Sequence, residues 1–446
     1  MGGILAISER VFLSFAVFGL PLQVETKLEQ MHFYILKVIH TAWLVVLLLA
    51  CAAPAVAQRS DSLMADWLHG QEIAITRQNR VKLFLSGHDK FEDLFEAVRQ
   101  ARHHIHLEYF NFRNDSIAHA LFDLLAEKAA QGVEVRAMFD AFGNSSNNRP
   151  LKKHHLEEIA ARGIEIVKFD PIRFPWVNHA IHRDHRKIVV IDGRVGYTGG
   201  MNIADYYIYG LPKLGQWHDI HMRIEGEAVH HLQGIFLTMW NRETEQHIGG
   251  PAYFAPIEPL PDSLQTPIGI VDRTPRETPR SISHAYAHSI RSAQRHIQIV
   301  NPYFVPTRSI RKAIKSALKE GTEVEIMIPA VSDIPFTPEA SFHVAHKLMK
   351  RGAKIYLFNG GFHHSKIMMV DSTYCTVGTA NLNSRSLRYD YETNAFLFDT
   401  ASTYRLMEMF ERDRLNSTPM TPEYWRQRST WKKFVGWLGN LLTPFL

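Results

Sequence analysis

Cysteine is almost missing from this chain. Only Cys51 and Cys375 occur among 446 residues, which excludes a disulfide framework and a zinc site built on thiolates. Charge of one sign is also scarce. Fifty Lys and Arg against 45 Asp and Glu leave +5 at pH 7, too mild over this mass to argue for nucleic acid. The uncharged apolar run from Thr41 to Val56 has sixteen residues, short of the roughly 20 that span a bilayer. The remainder, 46% hydrophobic and 21% charged, suits a globular protein with core enough for two or three domains. A disordered chain, a collagen and a polytopic transporter are excluded.

The N-terminal region, 1–57, reads as a signal or membrane segment in three ways. The apolar run suits the core of a signal peptide, with Lys37 as its positive flank and AVA before Gln58 as a small-x-small cleavage form. Counted from Met31, that signal is 27 residues long; counted from Met1 it is too long, which makes the first thirty residues an upstream start. A second apolar stretch, Val11 to Val24, supports an anchored N-terminus instead. Leu48-Leu49-Ala50-Cys51 resembles a lipoprotein cleavage box, with Cys51 as the lipidated residue. Each reading puts the protein at or across a membrane.

The body of the chain is a duplication. AVRQARHHIHLEYF (97–110) and SIRSAQRHIQIVNPYF (289–304) both read as a helix end followed by a strand. Gly132-Val133-Glu134-Val135 matches Gly321-Thr322-Glu323-Val324, and Gly163-Ile164-Glu165-Ile166 matches Gly352-Ala353-Lys354-Ile355, both at an offset of 189 residues. Strands alternating with helices such as 117–131 and 309–320 predict βαβ units around largely parallel sheets. Seven of the 21 prolines fall between Pro251 and Pro279, which reads as a linker. The expected architecture is α/β: two similar halves of mixed, largely parallel sheets flanked by helices, 80–250 and 281–415, joined by linker 251–280, paired about a pseudo-two-fold, with a basic amphipathic segment at 420–446.

Each half carries the same constellation. His185-Arg186-Lys187 is followed by four apolar residues and Asp192, then after six more by Gly199-Gly200 and Asn202. His364-Ser365-Lys366 is followed in the same way by Asp371, Gly378-Thr379 and Asn381. Five residue types at fixed spacing arise by chance roughly once in a few million positions, taking about 5% per type. IVVI and IMMV are buried strand cores, so His185 and Lys187 face one side, as do His364 and Lys366. Asp192-Gly193 is a hairpin dipeptide. A two-residue turn there brings Gly200 opposite His185 and, by the same count, Thr379 opposite His364.

Such a site suits a phosphodiester. Lys187 and Lys366 neutralise non-bridging oxygens, and Asn202, Asn381 and the backbone at Gly200 and Thr379 donate to them, with no need of metal or cofactor. Two half-sites facing each other set two histidines across one phosphorus, one to attack and one to protonate the leaving alcohol. Asp192 and Asp371 complete the candidate catalytic set. Their odd spacing of seven from each histidine points them away, toward a turn and salt-bridge role. Cys375, in a hairpin strand, is expected to be packed and inert.

These motifs resemble the phospholipase D superfamily, whose hallmark is a duplicated His-x-Lys-x4-Asp, over roughly residues 80 to 446. HRKIVVIDGRVGYTGGMNIADYY, RIEGEAVHHLQGIF, NPYFVP and GTANLNSRS resemble the bacterial cardiolipin synthases in particular. The resemblance implies an acidic residue downstream of each motif that orients the imidazole; Asp219 and Glu392 occupy those places. It implies a phosphatidyltransferase: His185 attacks phosphatidylglycerol, His364 protonates the departing glycerol, and a second phosphatidylglycerol resolves the phosphatidyl-histidine. The alternatives are a hydrolase releasing phosphatidic acid and, further off, a nuclease or a non-catalytic scaffold. Departures from the family pattern are His218, Asp184, Asn383, Thr379 and Asp390-Tyr391. They leave the donor and acceptor lipids open. The implied partners are phospholipids and a membrane surface, with no nucleic acid, and the implied place is a bacterial cell membrane, by export or lipoprotein anchoring. From Trp425 to Leu446 there are four basic residues and no acid. Trp431, Phe434, Val435, Leu438, Leu441 and Leu442 share one helical face, fit either for an anionic bilayer or for docking on the protein itself.

Overall fold

The structure, a computed structural model, describes residues 60–171, 181–334 and 337–441. The signal, anchor and lipidation readings, Cys51 among them, lie outside the described residues, as does Leu442.

Each half forms one sheet. The first runs, edge to edge, Asn79–Phe84, His221–Gly226, Val195–Gly199, Lys187–Ile191, His104–Tyr109, Glu134–Asp140 and Glu165–Phe169. The second begins with Ile75–Thr76 and continues Ile268–Arg273, Glu392–Leu397, Tyr374–Gly378, Ile367–Val370, His296–Val300, Glu323–Pro329, Lys354–Phe358 and Ser417–Pro419. Without its two outermost strands the second sheet repeats the first strand for strand, as the duplication requires. Ile268–Arg273, inside the proline-rich stretch read as a linker, is a full member of the second sheet beside Glu392–Leu397.

The sheets are mixed, as expected, but antiparallel pairs outnumber parallel ones in each, which corrects the expected parallel majority. Only His104–Tyr109, Glu134–Asp140 and Glu165–Phe169 run parallel in the first sheet, and only their three counterparts in the second. Helices Ser116–Ala130 and Arg308–Lys319 make the first crossover of each half, burying Leu121 and Leu125 in one and Ile310, Ala313, Ile314 and Ala317 in the other. The motif strands are joined instead by tight turns, which only antiparallel neighbours can use.

The turns also correct the expected register. Ile191 pairs with Val195 and Val370 with Tyr374, so three residues, not two, fill each loop. Asp192 and Gly193 take positive φ, 53° and 64°, as do Asp371 and Ser372, 49° and 62°. Each turn closes from Arg194 N–H to Ile191 C=O and from Thr373 N–H to Val370 C=O, and the extra residue moves the partner strand by one.

Alternate residues of the motif strands serve different cores. Val189 and Ile191 pack with Leu107 and Leu121 under the helices of their own half, and Met368 and Val370 do the same with Ile297 and Ile314. Ile188 and Val190 turn the other way and share a core with Ile367, Met369 and Val377. The halves are thus joined by an apolar layer made from both sheets. Cys375 lies in that layer, its thiol pushed up to about 12 by burial.

Candidate active site

Two backbone stitches carry each motif across to the other half. Asp184 bridges to Tyr391, with His185 N–H donating to Tyr391 C=O at 3.0 Å. Phe362–His363 pairs with Trp217–His218, with His364 N–H donating to His218 C=O at 2.7 Å. One residue beyond each stitch stands a carboxylate, and it reaches the histidine of the opposite half. His185 Nδ1 lies 3.0 and 3.1 Å from the two oxygens of Glu392. His364 Nδ1 lies 2.6 Å from Asp219 Oδ2. The downstream acids do orient imidazoles, but each serves the other half's motif. His185 keeps Nε2 for a substrate, since its Nδ1–H is directed at the carboxylate.

Each lysine folds back onto the histidine two residues before it. Lys187 Nζ donates to His185 C=O at 2.6 Å, and Lys366 Nζ sits 2.9 and 3.1 Å from the two ring nitrogens of His364. Burial holds both ammoniums down, Lys187 to about 7 and Lys366 to about 8. Burial, with Lys366 beside it, takes His364 to about 3. His185 is also lowered, by burial first, against the opposing pull of Glu392. Burial alone would raise Glu392, but His185 and Lys187 outweigh it and hold the carboxylate below its ordinary range. Both imidazoles are therefore neutral in the unliganded site and able to act as nucleophile or base.

Asn202 and Asn381 line the cavity with the two histidines, and each has an amide oxygen without a protein partner. Gly200 and Thr379, expected to bind phosphate, act on the carboxylates instead. A Cβ on Gly200 would meet Asp219 Oδ1 at 2.0 Å, so only glycine leaves room for that carboxylate. Thr379 is fully buried and donates its hydroxyl to Glu392. The longer loops are the reason: the one-residue register shift takes both positions from beside the histidines to beneath their partners.

Asp192 and Asp371 do not join the site. Asp192 accepts the backbone N–H groups of Arg102, His103 and His104 at 2.8, 2.7 and 3.0 Å. Asp371 does the same for Gln294, Arg295 and His296. They pin the start of the strand beside the motif strand in each sheet, His104–Tyr109 and His296–Val300, at the end of the motif strand far from the histidine. The odd spacing of seven from each histidine is what turns both carboxylates away from the imidazoles.

Several functional neighbours escaped the sequence reading. Arg186 is buried and forks onto Asp272 at 2.7 and 2.5 Å, with Glu108 at 3.5 Å. Asp272 also accepts from the hydroxyl of Thr393, next to Glu392, at 2.6 Å. Position 186 shares parity with Ile188 and Val190, which face the opposite half, so a cation there needs a partner across the interface. That signal was present in the sequence. Phe110 stands edge-on to His185 at 5.0 Å, and Trp217 and Tyr303 flank His364 at 5.4 and 6.1 Å. The cavity that Phe110, Trp217 and Tyr303 line together with the two histidines measures about 1140 Å³. Arg113 lines it too, over the ring of Tyr206, with its nearest carboxylate, Asp115, 3.9 Å away.

Two repeated halves that exchange carboxylates across paired His-x-Lys motifs define a phospholipase D-like protein. Comparison narrows the class. The family described as "Cardiolipin synthase, PLD-like domain" matches residues 94–240 and 286–414. The cardiolipin synthase of Listeria monocytogenes serotype 4b (strain CLIP80459) is 37% identical over 374 residues, 83% of this chain and 76% of that protein. That of Geobacillus sp. (strain WCH70) is 38% identical over 390 residues, 87% of this chain and 76% of its own. Among solved structures, phosphatidylserine synthase of Haemophilus influenzae Rd KW20 has a TM-score of 0.65 at 14% identity, covering 87% of this chain and 100% of that one. This last likeness is one of fold. The chain belongs to the cardiolipin synthase family of phospholipase D-like proteins, as its motifs led one to expect.

Proposed function

We propose that the protein is a phosphatidyltransferase that makes cardiolipin from two molecules of phosphatidylglycerol. The observation that carries the reading is the crossed pair His185–Glu392 and His364–Asp219 in one cavity. A phosphodiester held between them lies against Lys187 and Lys366, which take its negative charge. The negative charge of the phosphodiester also favours protonation of the neighbouring imidazole, supplying the acid that the first step needs. His185 Nε2 attacks phosphorus, forming a P–N bond as the P–O bond to glycerol breaks, and His364 gives its proton to the leaving oxygen. Glu392 stabilises the resulting cationic ring. The primary hydroxyl of a second phosphatidylglycerol then attacks, losing its proton to His364, and the P–N bond breaks to release cardiolipin. Arg113, only loosely neutralised by Asp115, is placed to meet the phosphate of that second lipid. Among the described residues no helix is long and apolar enough to cross a membrane. The lipid substrates and the apolar run from Thr41 to Val56 support a link to a bacterial membrane.

The test is product analysis with phosphatidylglycerol as sole lipid. Equal amounts of glycerol and cardiolipin support the transferase, glycerol with phosphatidic acid as the sole lipid product replaces it with a hydrolase, and no lipid turnover refutes both. Loss of turnover in His185→Ala and in His364→Ala is expected.

A further inference from the structure

The last described helix, Thr430–Leu441, stands at the mouth of the cavity and does not simply dock on the core. Trp431, Phe434, Val435 and Leu438 line the same cavity as His185 and His364. Glycines hold the helix close to its neighbour, Thr337–Met349. A Cβ on Gly436 would meet Glu339 C=O at 2.4 Å, and one on Gly439 would meet the Ala340 Cβ at 3.0 Å. Arg428 pairs with Glu339, and Arg311 donates to Asn440 Oδ1 at 3.0 Å. The helix is therefore a fixed wall.

Its remaining face is apolar and open. Trp431 is 69% exposed, Leu441 60%, Trp437 49% and Phe434 48%. Ile334 and Phe142, which also line the cavity, are exposed at 48% and 44%. Large apolar side chains gathered in this way on a surface mark a site of contact. Lys432 and Lys433 stand on the same helix, and no acidic residue lies between Tyr424 and Leu441. Basic charge beside tryptophan and leucine fits an anionic bilayer surface. Trp431, Phe434 and Leu438 belong to the open face and to the cavity wall together, so one apolar surface runs from outside into the site.

We propose that helix Thr430–Leu441 docks the protein on an anionic bilayer and forms the slope along which a phospholipid passes from the bilayer into the His185–His364 cavity. The inference rests on the lipid-substrate reading above. It explains how acyl chains reach a buried pair of histidines without being left in water.

The experiment compares the full chain with its Trp437→Ser/Leu441→Ser variant, both positions lying outside the cavity lining. Transfer is measured on long-chain phosphatidylglycerol in phosphatidylcholine vesicles and on monomeric short-chain phosphatidylglycerol. The ratio of kcat/KM on vesicles to kcat/KM on monomers is expected to fall at least about tenfold. An unchanged ratio, whether both activities fall or neither does, overturns the proposal. A second measurement needs no turnover. Inactive His364→Ala is mixed with phosphatidylglycerol vesicles carrying brominated chains, and tryptophan fluorescence is expected to be quenched. Much of the quenching should vanish on adding Trp431→Phe/Trp437→Phe. No quenching from these two positions overturns the docking, whereas quenching here combined with a wild-type chain that makes no cardiolipin in the product analysis keeps the docking and discards the synthase reading.

Discussion

The exchange of carboxylates makes a sharp prediction for Glu392→Gln. The carboxylate sits 3.0 Å from His185 Nδ1. At that separation an imidazolium and a carboxylate attract by about 5 kcal/mol at an effective dielectric of about 20. Glutamine keeps the shape and one hydrogen bond but not the charge. We expect the first chemical step to slow about 1,000-fold, equivalent to about 4 kcal/mol. The assay uses a phosphatidyl ester of p-nitrophenol, a leaving group that departs without a proton, in rapid-mixing experiments. The wild type should give a burst of nitrophenolate as His185 is phosphatidylated. Glu392→Gln should lose the burst. Asp219→Asn, which disarms His364, should keep the burst and slow only the later turnover, where a base is needed. Pairing within each half, or nucleophilic attack by His364, predicts the opposite pattern. A normal burst in Glu392→Gln refutes the reasoning outright.

Other predictions follow from the same geometry. Gly200→Ala places a methyl 2.0 Å from Asp219 Oδ1, so it should mimic Asp219→Asn with a loss of about 100-fold in kcat; normal turnover in this variant contradicts the assignment. Asp192→Asn removes charge-assisted bonds to three N–H groups and should lower stability by about 1–3 kcal/mol in denaturant melts. Its kcat/KM should stay near wild type, and a catalytic defect at full stability would restore Asp192 to the active set. Lys187, near 7, and Lys366, near 8, must be protonated to hold phosphate. As pH rises through this range the ammoniums are lost, so kcat/KM should fall. Bound phosphodiester favours the charged lysines, so the matching fall in kcat should lie at higher pH; flat profiles across the range count against both lysines.

Much of this protein was legible as sequence because the relevant order is local. Spacing within a strand sets side-chain parity, so the pairing of His185 with Lys187 and of His364 with Lys366, and the turning away of Asp192 and Asp371, could be read from the count of residues alone. The duplication likewise predicted two sheets of one pattern. Parity also marked Arg186 as facing the other half, although that consequence becomes plain only with Asp272 in view. Three things were not local. Antiparallel pairing in most of each sheet followed from tight turns that helix–strand alternation conceals. The register depended on one further residue in each loop, Arg194 and Thr373, which took Gly200 and Thr379 beneath the carboxylates. The partner of each histidine was beyond sequence altogether. The two half-sites carry nearly the same residues at the same spacing, so the sequence is equally consistent with Glu392 serving His364 or His185. Only the packing of the halves, through the stitches Asp184–Tyr391 and His363–His218, decides the choice. A contact between residues 207 apart in sequence depends on how two sheets bury a common apolar layer, which no local pattern encodes.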